Sequence, residues 1–500
     1  MVKLSSFISL FGLATSVLAA DSEAWKTRSI YFVLTDRFAR TDGGTNACSN
    51  LGNYCGGTWK GMQNQLGYIQ RLGFDAIWIT PIVSDTDGGY HGYWAKDIYS
   101  VNTNYGSADD LKSLIRAAHA KGMYVMVDIV ANHMGAGDIT TFNPFNTSSY
   151  YHSSCSIEDY NDQAEVEQCQ IAGLPDLKTE DSTVRNLLYD WIRNLVSEYS
   201  FDGLRLDTVK HVEKDFWSGF TSAGGVHSMG EVFNGDPAYV GPYQYYMSAV
   251  VNFPMYYSIN DCYARKYGFS NLVSQHDKVG SAFPRPELLG TFLDNHDVQR
   301  FLSINSDWTL LKNALAYTML ARGVPILYGG TEQAYGGGND PANREDLWRS
   351  GYNTDGDIYT FIQRLMAVKR ASGGLGGNDH VHLYTTDDCY AFSRAGGDVV
   401  VVTTNGGSGT NRTYCFNTPK TQGTIYTSGL GSAAYTVGTN GEICVSISNG
   451  QPEVLLSLCL PSPYLSLSRT RTLTVPEYSS KIAARPTGKA PSFLISSLNV

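Results

Sequence analysis

An acidic residue at the end of an apolar segment is the most chemically suggestive feature of the sequence. The segment Gly203–Leu206 reads Gly-Leu-Arg-Leu, and Asp207 follows it directly. Side chains alternate along a strand, so Arg205 and Asp207 are expected to share one face. A neighbouring cation keeps a carboxylate ionised. An ionised carboxylate held in place can attack a sugar carbon.

Two further acids stand where the sequence predicts that strands end. Glu231 lies in Met-Gly-Glu-Val-Phe, and Asp297 closes Asn-His-Asp. A single acid after a strand is more often a helix N-cap, but three on one rim favour catalysis. Two carboxylates about 5–5.5 Å apart cleave a glycosidic bond with retention of configuration.

Each acid has an expected role in that reaction. Asp207 is the better nucleophile because Arg205 should keep it ionised. The apolar neighbours of Glu231 tend to raise its pKa, which suits a general acid. Asp297 would stabilise the positive charge on the sugar ring in the transition state.

Histidines mark the same rim of the expected structure. His133 follows the third expected strand, His296 precedes Asp297, and His91 lies in Tyr-His-Gly-Tyr-Trp. A solitary histidine is more often structural, but three beside carboxylates are interpreted as donors to sugar hydroxyls. Zinc is the rival explanation, and it is disfavoured because no HExxH motif or close His/Cys spacing is present.

A calcium site is a further expectation. Asn132, Glu167 and Asp176 offer oxygen ligands, and the backbone carbonyl of His211 could complete the set. Hard oxygen ligands with two carboxylates suit Ca²⁺, although no EF-hand loop is present. The ion would attach an inserted segment to the main domain and shape the cleft.

The elements that position these residues alternate between strands and helices. Helices are expected at 61–72, 107–121 and 182–200, each before a strand. Such alternation favours parallel βα units, and eight strands favour an α/β fold of the closed (β/α)8 TIM-barrel type. An open doubly wound sheet is disfavoured because no glycine-rich phosphate fingerprint follows the first strand. The expected strands are 29–34, 76–79, 124–130, 203–206, 228–232, 249–252, 289–293 and 325–328.

Changes in pattern along the chain divide it into expected domains. Lys3 and the 12-residue apolar stretch 7–18 predict a signal peptide over 1–20, and hence an extracellular protein. Residues 133–177 interrupt the barrel as an inserted domain B after strand 3. Short β-like runs predict a C-terminal antiparallel β domain over 378–460. The catalytic barrel, domain A, would then take 21–132 and 178–377, with a disordered tail at 461–500.

Composition and charge exclude several partners. The 500 residues carry a formal net charge of −10, which argues against nucleic acid and anionic membranes. After the signal region no run approaches about 18 apolar residues, so no transmembrane helix is expected. We expect a monomer.

Nine cysteines fit a secreted, disulfide-bonded protein. Cys48 with Cys55 and Cys155 with Cys169 are the expected close pairs. Two more bridges among four later cysteines have undetermined connectivity, which leaves Cys262 as a buried thiol. Glycosylation is predicted at the sequons of Asn146 and Asn411. The four later cysteines are Cys389, Cys415, Cys444 and Cys459.

Four separated motifs in this order resemble those of the α-amylase family of glycoside hydrolases, most closely the fungal secreted enzymes. The resemblance runs from about Ile30 to Arg370, and the segments 90–94 and 338–344 strengthen the fungal likeness. It implies a barrel with domains B and C, and an enzyme that acts on starch and maltooligosaccharides. The motifs are Asp128-Ile-Val-Ala-Asn-His133, Gly203 to His211, Gly230-Glu231-Val232 and Phe292-Leu-Asp-Asn-His-Asp297.

The resemblance also implies residue roles. It makes Asp207 the nucleophile, Glu231 the acid/base and Asp297 the transition-state stabiliser. It implies the calcium ligands Asn132, Glu167, Asp176 and the His211 carbonyl. The substrate-binding positions that it implies are His91, Tyr93, Trp94, His133, Arg205, Lys210, His211, His296, Asp340 and Arg344.

The leading prediction is a secreted endo-hydrolase of α-1,4-glucosidic bonds. A 4-α-glucanotransferase is the alternative, because both reactions share the covalent intermediate on Asp207. Two departures from the fungal pattern keep it open: a short loop between Pro81 and Tyr90, and Asn234 where an aspartate is usual. A non-catalytic carbohydrate-binding protein is disfavoured because all three acids and Arg205 are present.

Overall fold

The computed structural model describes residues 20–457, and its centre is a closed barrel of eight parallel strands. The first six strands pair in chain order, the seventh pairs with the eighth, and the eighth pairs with the first. The ring closes where Val251 bridges Gly290 and the Asn252 N–H donates to the Gly290 carbonyl (2.8 Å). The expected barrel is therefore confirmed. The barrel strands are Ile30–Val33, Ala76–Ile79, Tyr124–Ile129, Gly203–Leu206, His227–Gly230, Ala249–Val250, Gly290–Phe292 and Val324–Tyr328.

Helices surround this barrel, and their ends follow local capping chemistry. Thr58 accepts the Gly61 N–H at the start of one helix, and Gly73 ends it at φ 110°. Ser107 and Asp110 form a capping box at the start of the next helix, Ala108–His119. The α-helices are Ser22–Trp25, Thr35–Phe38, Trp59–Leu72, Ala108–His119, Gln163–Gln168, Ser182–Tyr199, Lys214–Gly224, Pro237–Val240, Phe253–Tyr263, Ser270–Ala282, Phe301–Ile304, Trp308–Leu320 and Asp357–Ala371.

Two loops on the carboxyl rim carry structure of their own. An antiparallel hairpin of Val83–Asp85 and Ala95–Val101 follows the second barrel strand, and sequence analysis did not predict it. The segment after the third strand holds the helix Gln163–Gln168 and the expected Cys155–Cys169 disulfide. His133 bridges Asp176 and Tyr151 bridges Leu177, so both ends of this segment meet at the barrel.

The chain after the last helix forms antiparallel sheets, as expected. One sheet has six strands and the other has two, and the first packs against the helix Trp308–Leu320. Cys415 pairs with Cys444 across the two-stranded sheet. The strands are Val381–Thr385, Cys389–Arg394, Val399–Thr404, Arg412–Asn417, Ile425–Ser428, Ala434–Thr436, Glu442–Ile447 and Glu453–Ser457.

The remaining sequence predictions meet different outcomes. Cys262 is a buried thiol, as expected. Cys389, which was expected to take part in a bridge, is a second buried thiol, so that expectation is wrong. The Cys48–Cys55 pair forms. Cys459, the signal peptide up to residue 19 and the tail 461–500 lie outside the described residues. Both sequon asparagines are exposed, and their glycosylation stays a prediction.

Within residues 20–457, every helix is too short or too polar to cross a bilayer.

Candidate active site

The barrel register brings the two central acids together. Asp207 directly follows the fourth strand and Glu231 directly follows the fifth. Leu206 pairs with Gly230, so the two acids leave neighbouring strands at one level. The Glu231 N–H donates to the Leu206 carbonyl (2.8 Å), which extends the pairing to the acid itself. Asp297 reaches the same rim from the loop after the seventh strand.

The guanidinium group of Arg205 contacts both Asp207 and Glu231. Arg205 Nη1 donates to Asp207 Oδ1 (2.6 Å), and Nη2 lies 3.0 Å from Glu231 Oε2. Arg205 is only 1% exposed, and it is absent from the residues that line the cleft. Contact between Arg205 and substrate stays a prediction. The contacts observed for its guanidinium are with the acids.

Asp128 is the buried counter-charge that sequence analysis named in a motif but gave no role. Its Oδ1 accepts from Arg205 Nη1 (2.9 Å), while Oδ2 accepts from Tyr93 Oη (2.8 Å) and Trp78 Nε1 (3.0 Å). Burial raises the pKa of Asp128 to about 6, against the opposing effect of Arg205. Its position as an acidic residue inside the apolar strand Tyr124–Ile129 was the sequence signal that could have identified Asp128 as a functional group.

Glu231 has the environment of a general acid. It is 7% exposed, and burial raises its pKa to about 8. Arg205 opposes this shift, whereas the charge of Asp207 adds to it. The backbone N–H of Thr208 donates to Glu231 Oε2 (3.1 Å). Thr208 adopts φ 48°, a strained conformation for a β-branched residue, and this conformation presents its N–H to the acid.

Asp297 is the most accessible of the three acids. About a third of its side chain is exposed (33%), and it lies 3.3 Å from His296 Nε2 and 3.5 Å from Arg344 Nη2. Loss of hydration in the cleft raises its pKa, while Arg344 and Arg205 oppose the change. Its open side faces the cleft, where a substrate would bind.

The three rim histidines are neutral. Burial lowers the pKa of His91 to about 3, and it also lowers the pKa values of His133 and His296. His133 Nε2 lies 3.2 Å from the Tyr93 carbonyl, so that nitrogen donates within the protein. The His296 ring stacks on Tyr93 with centroids 5.2 Å apart. These contacts hold Tyr93, whose ring forms part of the cleft wall.

A cleft of about 370 Å³ opens above these residues. Asp340 and Arg344 line one part, and the Arg344 Nη1 atom lies 3.2 Å from Asp340 Oδ1. Lys210 lines another part, where its ammonium donates to the Phe233 carbonyl (3.1 Å). Except for Arg205, every predicted catalytic and substrate-binding residue lines the cleft. Residues that line it without having been predicted are Ile171, Ala172, Leu174, Thr208 and Phe233.

Two contacts join the segments that carry the predicted calcium ligands, one between the Asn132 and Asp176 segments and one between the Glu167 helix and the His211 turn. Asp176 Oδ1 is buried and has no hydrogen bond of ordinary geometry from a described residue. The Leu177 N–H donates to the Asn132 carbonyl (2.8 Å), which holds Asn132 beside this carboxylate. The helix that carries Glu167 contacts the His211 turn, since His211 Nδ1 lies 3.2 Å from the Val166 carbonyl.

This donor set fits a hard cation. Residues 20–457 contain no cluster of three His, Cys, Asp or Glu side chains suited to a metal ion. A calcium ion would therefore depend on neutral oxygens as well as on the two carboxylates, as calcium sites commonly do. His152, which sequence analysis did not single out, lies 2.7 Å from Asp176 Oδ2.

Comparison with known proteins agrees with this geometry. The family model for the α-amylase catalytic domain matches residues 32–362. The chain belongs to the α-amylase family. α-Amylase 2 of Schwanniomyces occidentalis is 41% identical over 91% of this chain and 97% of its own length. The structure of an α-amylase from Malbranchea cinnamomea superposes with a TM-score of 0.85 at 41% identity, over 88% of this chain and 98% of that one.

Another matching structure is that of a complex. The α-amylase of Geobacillus thermoleovorans, complexed with acarbose, has a TM-score of 0.79 at 31% identity, over 87% of this chain and 98% of that one. The family membership and the α-amylase fold predicted from the sequence are thus confirmed.

Proposed function

We propose that this chain hydrolyses α-1,4-glucosidic bonds inside starch and maltooligosaccharides, with retention of the α configuration. The observation that carries the proposal is the shared guanidinium: Arg205 binds Asp207 and Glu231 at once. A retaining enzyme needs its two carboxyl groups about 5–5.5 Å apart, and one guanidinium between them favours such a short separation.

The first half-reaction assigns a role to each acid. Glu231 is protonated near neutral pH because its pKa is raised to about 8. It gives this proton to the glycosidic oxygen as the bond from that oxygen to the anomeric carbon breaks. A carboxylate oxygen of Asp207 forms the new bond to the anomeric carbon. Asp297, exposed to the cleft, stabilises the positive charge that develops on the sugar ring.

The second half-reaction reverses the proton transfer. The charge of Asp207 is one reason why the pKa of Glu231 is raised. That charge disappears when Asp207 is esterified, so the pKa of Glu231 falls, and Glu231, which has already given its proton to the leaving group, stays ionised. Its carboxylate then removes a proton from water, which attacks the anomeric carbon and frees Asp207.

The cleft walls suit a glucan chain. Tyr93, Trp94 and Phe233 supply aromatic faces, and Asp340 and Arg344 supply charged hydrogen-bonding groups. The acarbose complex of the Geobacillus enzyme supports an oligosaccharide ligand for this cleft. We further propose that the protein is secreted and monomeric, with domain limits as predicted from the sequence.

Calcium would be held by Asn132, Glu167, Asp176 and the His211 carbonyl. The ion would supply structural order, because it would attach the inserted segment to the barrel beside the cleft. The residues of the chain perform each chemical step.

Assay of starch cleavage by an Asp207→Asn variant tests the function. Loss of the nucleophile should reduce kcat about 10⁴-fold or more without unfolding the protein. Asp190→Asn is the matched control, because Asp190 is an exposed helical acid with 69% of its side chain accessible. Wild-type protein without starch-cleaving activity, or an active Asp207→Asn variant, would contradict the proposal.

A further inference from the structure

Arg37 is a buried cation that the proposed reaction does not use. It lies in the short helix Thr35–Phe38 after the first barrel strand and is 2% exposed. Its Nε donates to the neighbouring carboxylate of Asp36 (2.9 Å). A buried charge requires partners in the folded protein, and the remaining partners of Arg37 lie in two distant segments.

The first segment is the loop closed by the Cys48–Cys55 disulfide. Arg37 Nη2 donates to the carbonyls of Leu51 (2.9 Å) and Asn53 (2.7 Å). The adjacent Asp36 accepts the N–H of Cys55 (2.7 Å), so the ion pair binds the loop through both of its members. The disulfide limits the conformations of this loop and thereby fixes the carbonyls that Arg37 meets.

The second segment is the cleft wall that carries Asp340 and Arg344. Arg37 Nη1 donates to the backbone carbonyl of Arg344 (2.8 Å), and its guanidinium lies 4.1 Å from the centre of the Tyr90 ring. The Arg344 side chain in turn donates to Tyr90 Oη (3.2 Å). The backbone and the aromatic neighbour of Arg344 are therefore both in contact with Arg37.

We propose that Arg37 is a positioning residue for the Asp340–Arg344 wall, linking it to the disulfide-closed loop 48–55. The inference rests on the proposed hydrolase function, and on the family resemblance, which implies that Asp340 and Arg344 contact the sugars on the donor side of the cleaved bond. Arg37 reaches no substrate; it fixes the backbone from which Arg344 extends.

Only arginine has the geometry for this role. Four of its five N–H donors point to Asp36, to Arg344 and to two carbonyls of the loop. A lysine ammonium has a single donor centre and cannot reach three separate segments. Arg37→Lys therefore keeps the charge that Asp36 requires while it loosens the link between the loop and the wall.

The test is the kinetics of Arg37→Lys on 4-nitrophenyl maltooligosaccharides of increasing length. Displacement of a binding wall should raise KM about tenfold for substrates that extend along the donor side, and less for short ones, with kcat changed by less than about threefold. Arg394→Lys is the control. Arg394 is an equally buried arginine that donates to the carbonyls of Leu320 and Leu375, at the junction with the C-terminal sheet.

The double variant Cys48→Ser/Cys55→Ser keeps the proposal falsifiable if Arg37→Lys folds poorly. It should raise KM in the same length-dependent way, and the triple variant should be no worse than the larger single effect, because both changes break one connection. Unchanged length dependence in the disulfide variant, or in a folded Arg37→Lys, overturns the inference. Additive effects of the Arg37 and disulfide changes on KM in the triple variant also overturn the inference. Inactive wild-type protein would instead refute the function itself.

Discussion

Replacement of Glu231 by glutamine should stabilise the protein at neutral pH while it removes the catalytic acid. The pKa of Glu231 is about 8 in the folded protein and 4.5 for the unperturbed group. At pH values between these two pKa values the protein takes up a proton when it folds, so its free energy of unfolding falls as the pH rises. By pH 7 the cost reaches about 3 kcal/mol, because each pKa unit corresponds to about 1.4 kcal/mol.

Glutamine avoids this cost because it is neutral at every pH. Thr208 N–H and Arg205 Nη2 both contact Glu231 Oε2, so an amide oxygen in that position retains both interactions. The gain should be close to zero at pH 4.5, where the glutamate is protonated in the folded state. It should grow towards pH 8, and at pH 7 it corresponds to a rise of about 3 °C in Tm for a chain of this size.

Differential scanning calorimetry at pH 4.5, 6, 7 and 8, at constant calcium concentration, measures this difference. Glu442→Gln serves as the matched control, because Glu442 is exposed. A Glu231→Gln variant that is no more stable than wild type at pH 7 would refute the reasoning. A stability difference that does not change with pH would refute it equally, since the gain would then have another cause.

Three further perturbations test other parts of the structure. Chelation should lower the Tm of wild type if calcium binds only the folded state, and Asp176→Asn should reduce that shift in calorimetry; an equal shift in both would argue against this site. Asp128→Asn should lower kcat about 10–100-fold with little change in KM, because Arg205 loses the group that orients it; unchanged kcat in a steady-state assay would contradict this. Burial and Arg322 hold the pKa of His276 well below its ordinary value, so protons bind the unfolded chain preferentially and stability falls as the pH drops below about 6.5. His276→Gln should therefore lose less Tm than wild type between pH 7 and pH 5, and equal losses would count against the argument.

The barrel was predictable because its strands are short apolar runs separated by helices with clear caps. The strand at 203–206 was found from residue order alone. The acids after the fourth, fifth and seventh strands were expected to lie together because a closed barrel places strand ends on one rim. The hairpin of Val83–Asp85 and Ala95–Val101 was missed. Its first strand has three residues and its pairing shifts register twice, so period-two alternation gives little signal.

Buried charges account for most of what the sequence could not predict at the site. The strand position of Arg205 predicted the face that it shares with Asp207, and the family resemblance implied a substrate contact. Neither indicates how deeply three carboxylates enclose its side chain. Arg37 gave no signal because, apart from the adjacent Asp36, its partners are backbone carbonyls more than 10 residues away that any sequence would supply. Such contacts depend on tertiary geometry, which residue types alone do not encode.

The most direct test of the central claim is time-resolved proton NMR of a defined maltooligosaccharide during cleavage by the wild-type protein. Retaining hydrolysis through Asp207 predicts that the new reducing ends appear first as the α anomer, and that every product is shorter than the substrate. Initial release of the β anomer would contradict the covalent intermediate on Asp207. Products longer than the substrate would show that sugar, and not water, is the acceptor.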